Sequence, residues 1–161
     1  MKDPQRHRVY MLETIFWANW NEHAEGMCSV VSRNEWEEYC ELLFADGLKN
    51  PYYAQRRRSR KQPLRFVELA ETAEFLASAF PSTDTLGVRA TERKKYLAMH
   101  EVCHLLTREF RLNSHGWQFV SVYSQMIGRH IGEAAARQFR GLAHAQKIQF
   151  TETVDQVRIV G

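Results

Sequence analysis

Apolar residues fall at helical spacing near the start of the chain. Val9, Leu12, Ile15 and Phe16 lie three or four apart and predict an opening helix from Pro4 to about Asn19. Ser32-Arg33-Asn34-Glu35 reads as a capping sequence, and Trp36, Tyr39, Cys40 and Leu43 continue a second helix that Asp46-Gly47 ends. The pattern then changes period. Leu64-Arg65-Phe66-Val67-Glu68-Leu69 alternates as a strand does, whereas Ala73 to Phe80 fits either period. Pro81-Ser82-Thr83-Asp84-Thr85 is a strong turn, so Leu86 to Ala90 is expected to return as a strand, making a hairpin of Ala73–Ala90. From Tyr96 to Leu106 the chain is apolar on nearly every side, the mark of a buried helix, with Thr91 or a neighbour as its cap and its end near Phe110. Arg111 to Ser114 supplies a turn, and a further helix begins near Gly116, with Trp117, Phe119, Val120, Tyr123 and Ile127 on its packing side. A last helix from about Gly132 to His144 and a short closing strand at Ile148–Phe150 complete the chain. The expected fold is α+β: a small antiparallel sheet, a buried helix and flanking helices, in one domain spanning 1–161.

The buried helix carries side chains that apolar packing does not explain. Residues 100 to 104 read His-Glu-Val-Cys-His, and residues four apart on a helix lie about 40° from each other around its axis. His100 and His104 therefore point the same way and can grip one metal ion, while Glu101 flanks that face without having to bind it. In a chain with 7 His and 15 Glu, a shuffled sequence contains such a string roughly 0.03 times, so chance is a poor explanation. Unpaired buried polar groups each cost about 1–3 kcal/mol, and a metal ion with a water satisfies all three at once. Without a metal, the histidines would instead bond to backbone carbonyls and Glu101 would reach a surface arginine. Catalytic zinc keeps three protein ligands and one open position. His115, at the turn before Gly116, is the third candidate; the alternative is an exposed turn histidine.

The string Met99 to Leu106, followed by His115-Gly116-Trp117-Gln118-Phe119 and Tyr123, resembles the His-Glu-x-x-His metallohydrolases of actinobacteria and their phages. More remotely it is similar to SprT-like and other minimal zincin metallopeptidases, in which a His-Gly-x-x-Phe motif carries the third ligand. Asp3-Pro4-Gln5-Arg6-His7-Arg8-Val9-Tyr10 and Ile131 to Ala135 also look like the actinobacterial group, while the stretch from Trp20 to Gln62 matches only loosely. The resemblance implies a zincin-like fold, Zn2+ held by His100, His104 and His115, Glu101 as general base, and a peptide or protein substrate. It also implies that the Ala73–Ala90 hairpin lines the substrate groove. Some zincins take their third ligand from a later helix, which makes Glu133 the competitor of His115, although its place among small residues reads better as a first helical turn. Tyr123 could donate to an oxyanion, although its spacing equally suits packing. For His130 and His144, solvated or capping roles are expected.

Composition narrows the class. At 161 residues and 44% hydrophobic, the chain has enough apolar material for a core. It shows no signal pattern at its start and no apolar run of about 18 residues, so a soluble, cytoplasmic protein without membrane contact is expected. Cys28, Cys40 and Cys103 are an odd number without ligand spacing and read as reduced thiols. Cys103 sits about 100° round the helix from His104, facing the core. The net charge is only +3, yet Arg56, Arg57, Arg58, Arg60 and Lys61 cluster in six positions, a candidate phosphate-binding patch or a solvated loop. Basic runs are more often solvated loops and this one lacks interleaved aromatics for base stacking; the SprT-like resemblance raises the case for nucleic-acid contact slightly, since some of those proteases act on DNA-bound proteins. The rival to a hydrolase is a non-catalytic zinc-containing binding or regulatory protein.

Overall fold

The structure, a computed structural model, describes residues 3–20, 24–49, 63–107 and 115–151. Its helices are α1 (Arg6–Asn19), α2 (Ala24–Cys28), α3 (Arg33–Leu48), α4 (Lys95–Leu106), α5 (Trp117–His130) and α6 (Glu133–Ala145). Three strands, β1 (Arg65–Leu69), β2 (Ala77–Phe80) and β3 (Thr85–Arg89), form one mixed sheet, so the class is α+β. Among the described residues no helix is long and apolar enough to cross a membrane. The chain divides into two compact units, one formed by Gly26–Leu106 and the other by Met1–Glu25 with Thr107–Gly161.

In the continuous unit, α3 begins where the capping sequence predicts, with the Glu35 backbone N–H donating to Ser32 Oγ at 3.2 Å. Trp36, Cys40, Leu43, Phe44 and Gly47 bury one stripe of the helix. α3 packs on α4, and Gly47 permits the close approach: a Cβ there would lie 2.5 Å from Leu106 Cδ1. The hairpin forms as expected between β2 and β3, closed by Asp84 at a φ of 50°, a left-handed conformation that Asp tolerates.

Two sheet expectations need correction. The sheet is not antiparallel throughout, because β1 pairs with β3 in parallel register, Val67 opposite Gly87, and the strand order is β1-β3-β2. After β1 the chain crosses to the far edge as β2, and β3 returns into the slot between them. β2 runs opposite to β1, so β3, antiparallel to its hairpin partner β2, runs parallel to β1. Burial agrees: Thr85, Leu86, Gly87 and Val88 are all buried, as a central strand requires, whereas β1 is largely exposed. The predicted closing strand at Ile148–Phe150 does not form either. Its donors go elsewhere: Ile148 N–H donates to the Ala143 carbonyl at 2.9 Å and Gln149 N–H to Gln5 Oε1 at 2.6 Å, while just beyond it Thr151 N–H donates to Ser121 Oγ at 2.7 Å.

A third correction concerns the start of α4. Thr91 does not cap it. It lies in a 3-10 turn, Ala90–Glu92, and its hydroxyl donates to Glu71 Oε2 at 2.6 Å. α4 itself is as buried as its sequence predicts, with Ala98, Met99, Val102, Cys103, Leu105 and Leu106 all in the core. Within this unit it lies against β2 as well as α3.

The other unit is helical. α1 and α5 both pack on α6, around Phe139, which meets Phe16 edge-on at 5.3 Å between ring centroids and Tyr123 at 5.2 Å. Fully burying each such aromatic or aliphatic side chain contributes about 1.5–3 kcal/mol.

Candidate metal centre

α4 places His100 and Glu101 in the interior, 2% and 6% exposed, with His104 half-buried one turn on. The helical spacing brings the two imidazoles edge to face, ring centroids 4.8 Å apart, with Nε2 of one 3.1 Å from Nε2 of the other. Two nitrogens bound at 2.0–2.1 Å to one tetrahedral ion lie about 3.3 Å apart. The pair is therefore spaced as co-ligands are.

His115 stands at the turn before α5, whose N-cap is Gly116, and it is 3% exposed. This is not the solvated turn histidine that the sequence also allowed. Asp3 Oδ2 accepts from His115 Nδ1 at 2.6 Å and from its backbone N–H at 3.1 Å. Gln5 Nε2 donates to the His115 carbonyl at 3.2 Å, and the Tyr10 and Phe119 rings meet the imidazole at 5.0 and 5.1 Å. One donor atom each from His100, His104 and His115 lies within 4.8 Å of the others, close enough to hold one metal ion. Three ring nitrogens converging among apolar neighbours are a donor set that a cation suits.

Glu133 is elsewhere. It occupies the first turn of α6 with its side chain 66% exposed, accepting from Arg140 Nη2 at 2.6 Å. That bond and the guanidinium charge hold its carboxyl below the usual range. Tyr123 is fully buried; its hydroxyl donates to Glu13 Oε1 at 2.7 Å and accepts from Trp17 Nε1 at 3.1 Å. It belongs to a buried polar network that the sequence reading did not anticipate, Glu13 itself being buried in α1. His130 ends α5 and His144 lies against Phe150, and neither joins the histidine cluster.

Cys28, Cys40 and Cys103 are reduced thiols, with Cys40 and Cys103 in the core. Burial, reinforced by nearby Glu41 and Glu101, pushes the Cys40 thiol up. The basic tract of Arg56, Arg57, Arg58, Arg60 and Lys61 lies outside the described residues, as does the expected turn from Arg111 to Ser114. The residue most plainly missed from sequence is Asp3. Its only signal was a place in the N-terminal string quoted above, which carries no role by spacing.

No family model, curated protein or solved structure is significantly similar to this chain.

Proposed function

We propose that the protein is a zinc-dependent metallohydrolase that cleaves peptide bonds, with His100, His104 and His115 as ligands and Glu101 as general base. The observation that carries this reading is the convergence of three histidine nitrogens, two of them from α4, with a buried carboxylate, Glu101, next to His100 on that helix. Imidazole donors favour zinc and its transition-metal neighbours over magnesium. A three-ligand set leaves one coordination position open, the arrangement of catalytic rather than structural zinc. When bound, zinc supplies Lewis acidity, polarising a carbonyl and lowering the pKa of water towards about 7.

The protein's own part is to position and move protons. Glu101, adjacent to His100 and buried with it, takes a proton from the attacking water on a carboxylate oxygen and returns it to the leaving amine nitrogen. The surrounding apolar core, Met99, Val102 and Leu105 among it, keeps competing solvent out. β2 is an edge of the sheet and packs against α4, so an extended substrate adds along its outer side as a further strand.

The test is metal analysis of purified protein together with cleavage of a broad peptide library. About one zinc per chain and hydrolysis that a chelator removes are expected. Protein that holds no zinc and is not stabilised by added zinc rejects the reading. Zinc without cleavage of any peptide or protein favours a non-catalytic zinc-binding protein.

A further inference from the structure

His115 is held through its backbone N–H, its carbonyl and the Nδ1 of its ring. One carboxylate oxygen of Asp3 accepts from the ring Nδ1 at 2.6 Å and from the backbone N–H at 3.1 Å. The Gln5 amide donates to the carbonyl at 3.2 Å and is itself fixed by accepting from Gln149 N–H at 2.6 Å. The Tyr10 and Phe119 rings both meet the imidazole edge to face, at 5.0 and 5.1 Å between centroids. An ionised carboxylate only accepts hydrogen bonds, so the proton of the imidazole sits on Nδ1. In the neutral ring the lone pair then lies on Nε2, at the other end.

From this geometry we infer that Asp3 is the positioning residue of the metal centre: it selects the Nδ1–H tautomer of His115 and aims Nε2 at the ion. The inference rests on the metal-site reading above. A carboxylate on the distal nitrogen also raises the ligand's basicity and restrains ring rotation, and such partners commonly account for 10–100-fold in metal affinity. A single oxygen shared between ring and backbone couples the side-chain rotamer to the turn, so displacing it frees two degrees of motion at once. Gln5 holds the same turn through the His115 carbonyl, whereas Asp3 is bonded to the ring nitrogen whose proton defines the tautomer.

The experiment compares wild type, Asp3→Asn, Asp3→Glu, His115→Ala and the double variant Asp3→Asn/His115→Ala. Zinc affinity is measured by competition with a chelator, and unfolding is measured on the metal-free proteins. Asp3→Asn should weaken zinc by about 10–100-fold, Asp3→Glu should recover part of that loss, and the Asn substitution should change affinity little once His115 is absent. A loss of the same size with and without His115 would mark Asp3 as a mere tether and overturn the inference, as would unchanged affinity in Asp3→Asn. Wild type that binds no zinc removes the metal site itself, an outcome separate from wild type that binds and Asp3→Asn that binds equally well. Long-range proton–nitrogen spectra of the unsubstituted protein give an independent reading that needs no variant to fold. His115 should show the Nδ1–H pattern, and an Nε2–H pattern in the metal-free protein would overturn the assignment.

Discussion

Glutamine has nearly the shape of glutamate but cannot accept a proton at neutral pH, so Glu101→Gln separates holding the site from using it. The variant should keep its zinc and its unfolding midpoint while hydrolysis falls by about 10²–10⁴-fold, the usual worth of a positioned general base. A variant that keeps most of its activity places the base elsewhere. The ligand assignment is tested by a second pair. His115→Ala removes a direct donor and should weaken zinc by more than the 10–100-fold of a lost supporting contact, whereas Glu133→Ala removes only an exposed partner of Arg140 and should leave zinc affinity unchanged. Equal losses in the two would reject the histidine assignment. His100, Glu101 and His104 were readable from sequence because a helix turns their spacing into direction. Asp3 was not, since it acts across 112 positions of chain separation and no local period marks it. Tyr123 was readable only as a choice between packing and chemistry, and the choice turns on Glu13, a buried acid on an otherwise apolar stripe of α1.

Between α5 and α6 the chain turns at Gly132, whose φ of 142° and ψ of 159° lie in a region that L side chains rarely enter. A Cβ there would meet nothing within 4 Å, so space is not the constraint and the whole cost of a side chain is backbone strain. Gly132→Ala should therefore lower stability by about 1–3 kcal/mol. Gly141, exposed inside α6 with equally open surroundings, should respond in the opposite direction, Gly141→Ala adding about 0.5–1 kcal/mol. Urea unfolding of both variants checks the contrast, and a harmless Gly132→Ala would refute the strain argument. Helices with a cap and a stripe were legible along the chain, as Ser32 and the residues from Trp36 to Leu43 illustrate. Pairing direction was not. Alternation in Leu64–Leu69 marks a strand but says nothing of its neighbour, and only the insertion of β3 between β1 and β2 makes that contact parallel. Ile148–Phe150 alternates too, yet the Ile148 and Gln149 donors are taken by the Ala143 carbonyl and by Gln5, which no strand pattern encodes.

Two neutral groups on α3, the half-buried Tyr39 and the buried Cys40, make stability fall in alkali. Burial raises the Tyr39 hydroxyl from 10.0 to about 12 and pushes the Cys40 thiol well above its ordinary 9.0. Both are protonated in the folded state where the unfolded chain has begun to ionise, so their contribution is fully present below pH 9 and is lost as pH rises towards 12. Each group adds up to about 1.4 kcal/mol per pH unit to that loss. Tyr39→Phe should flatten the decline between about pH 10 and 12, read from urea midpoints across the series, and profiles parallel to wild type would contradict it. The division of the chain has a consequence in time. The unit of Gly26–Leu106 is continuous, but α1 shares its unit with α5 and α6, which emerge more than a hundred residues later. At synthesis rates of about 5–20 residues per second that interval is on the order of ten seconds. For that long Val9, Leu12 and Phe16 face the translation exit without their partners, on a helix of 14 residues too short to be stable alone. Asp3 must wait equally long for His115, so the contact between them closes only after the whole of Gly26–Leu106 has been made.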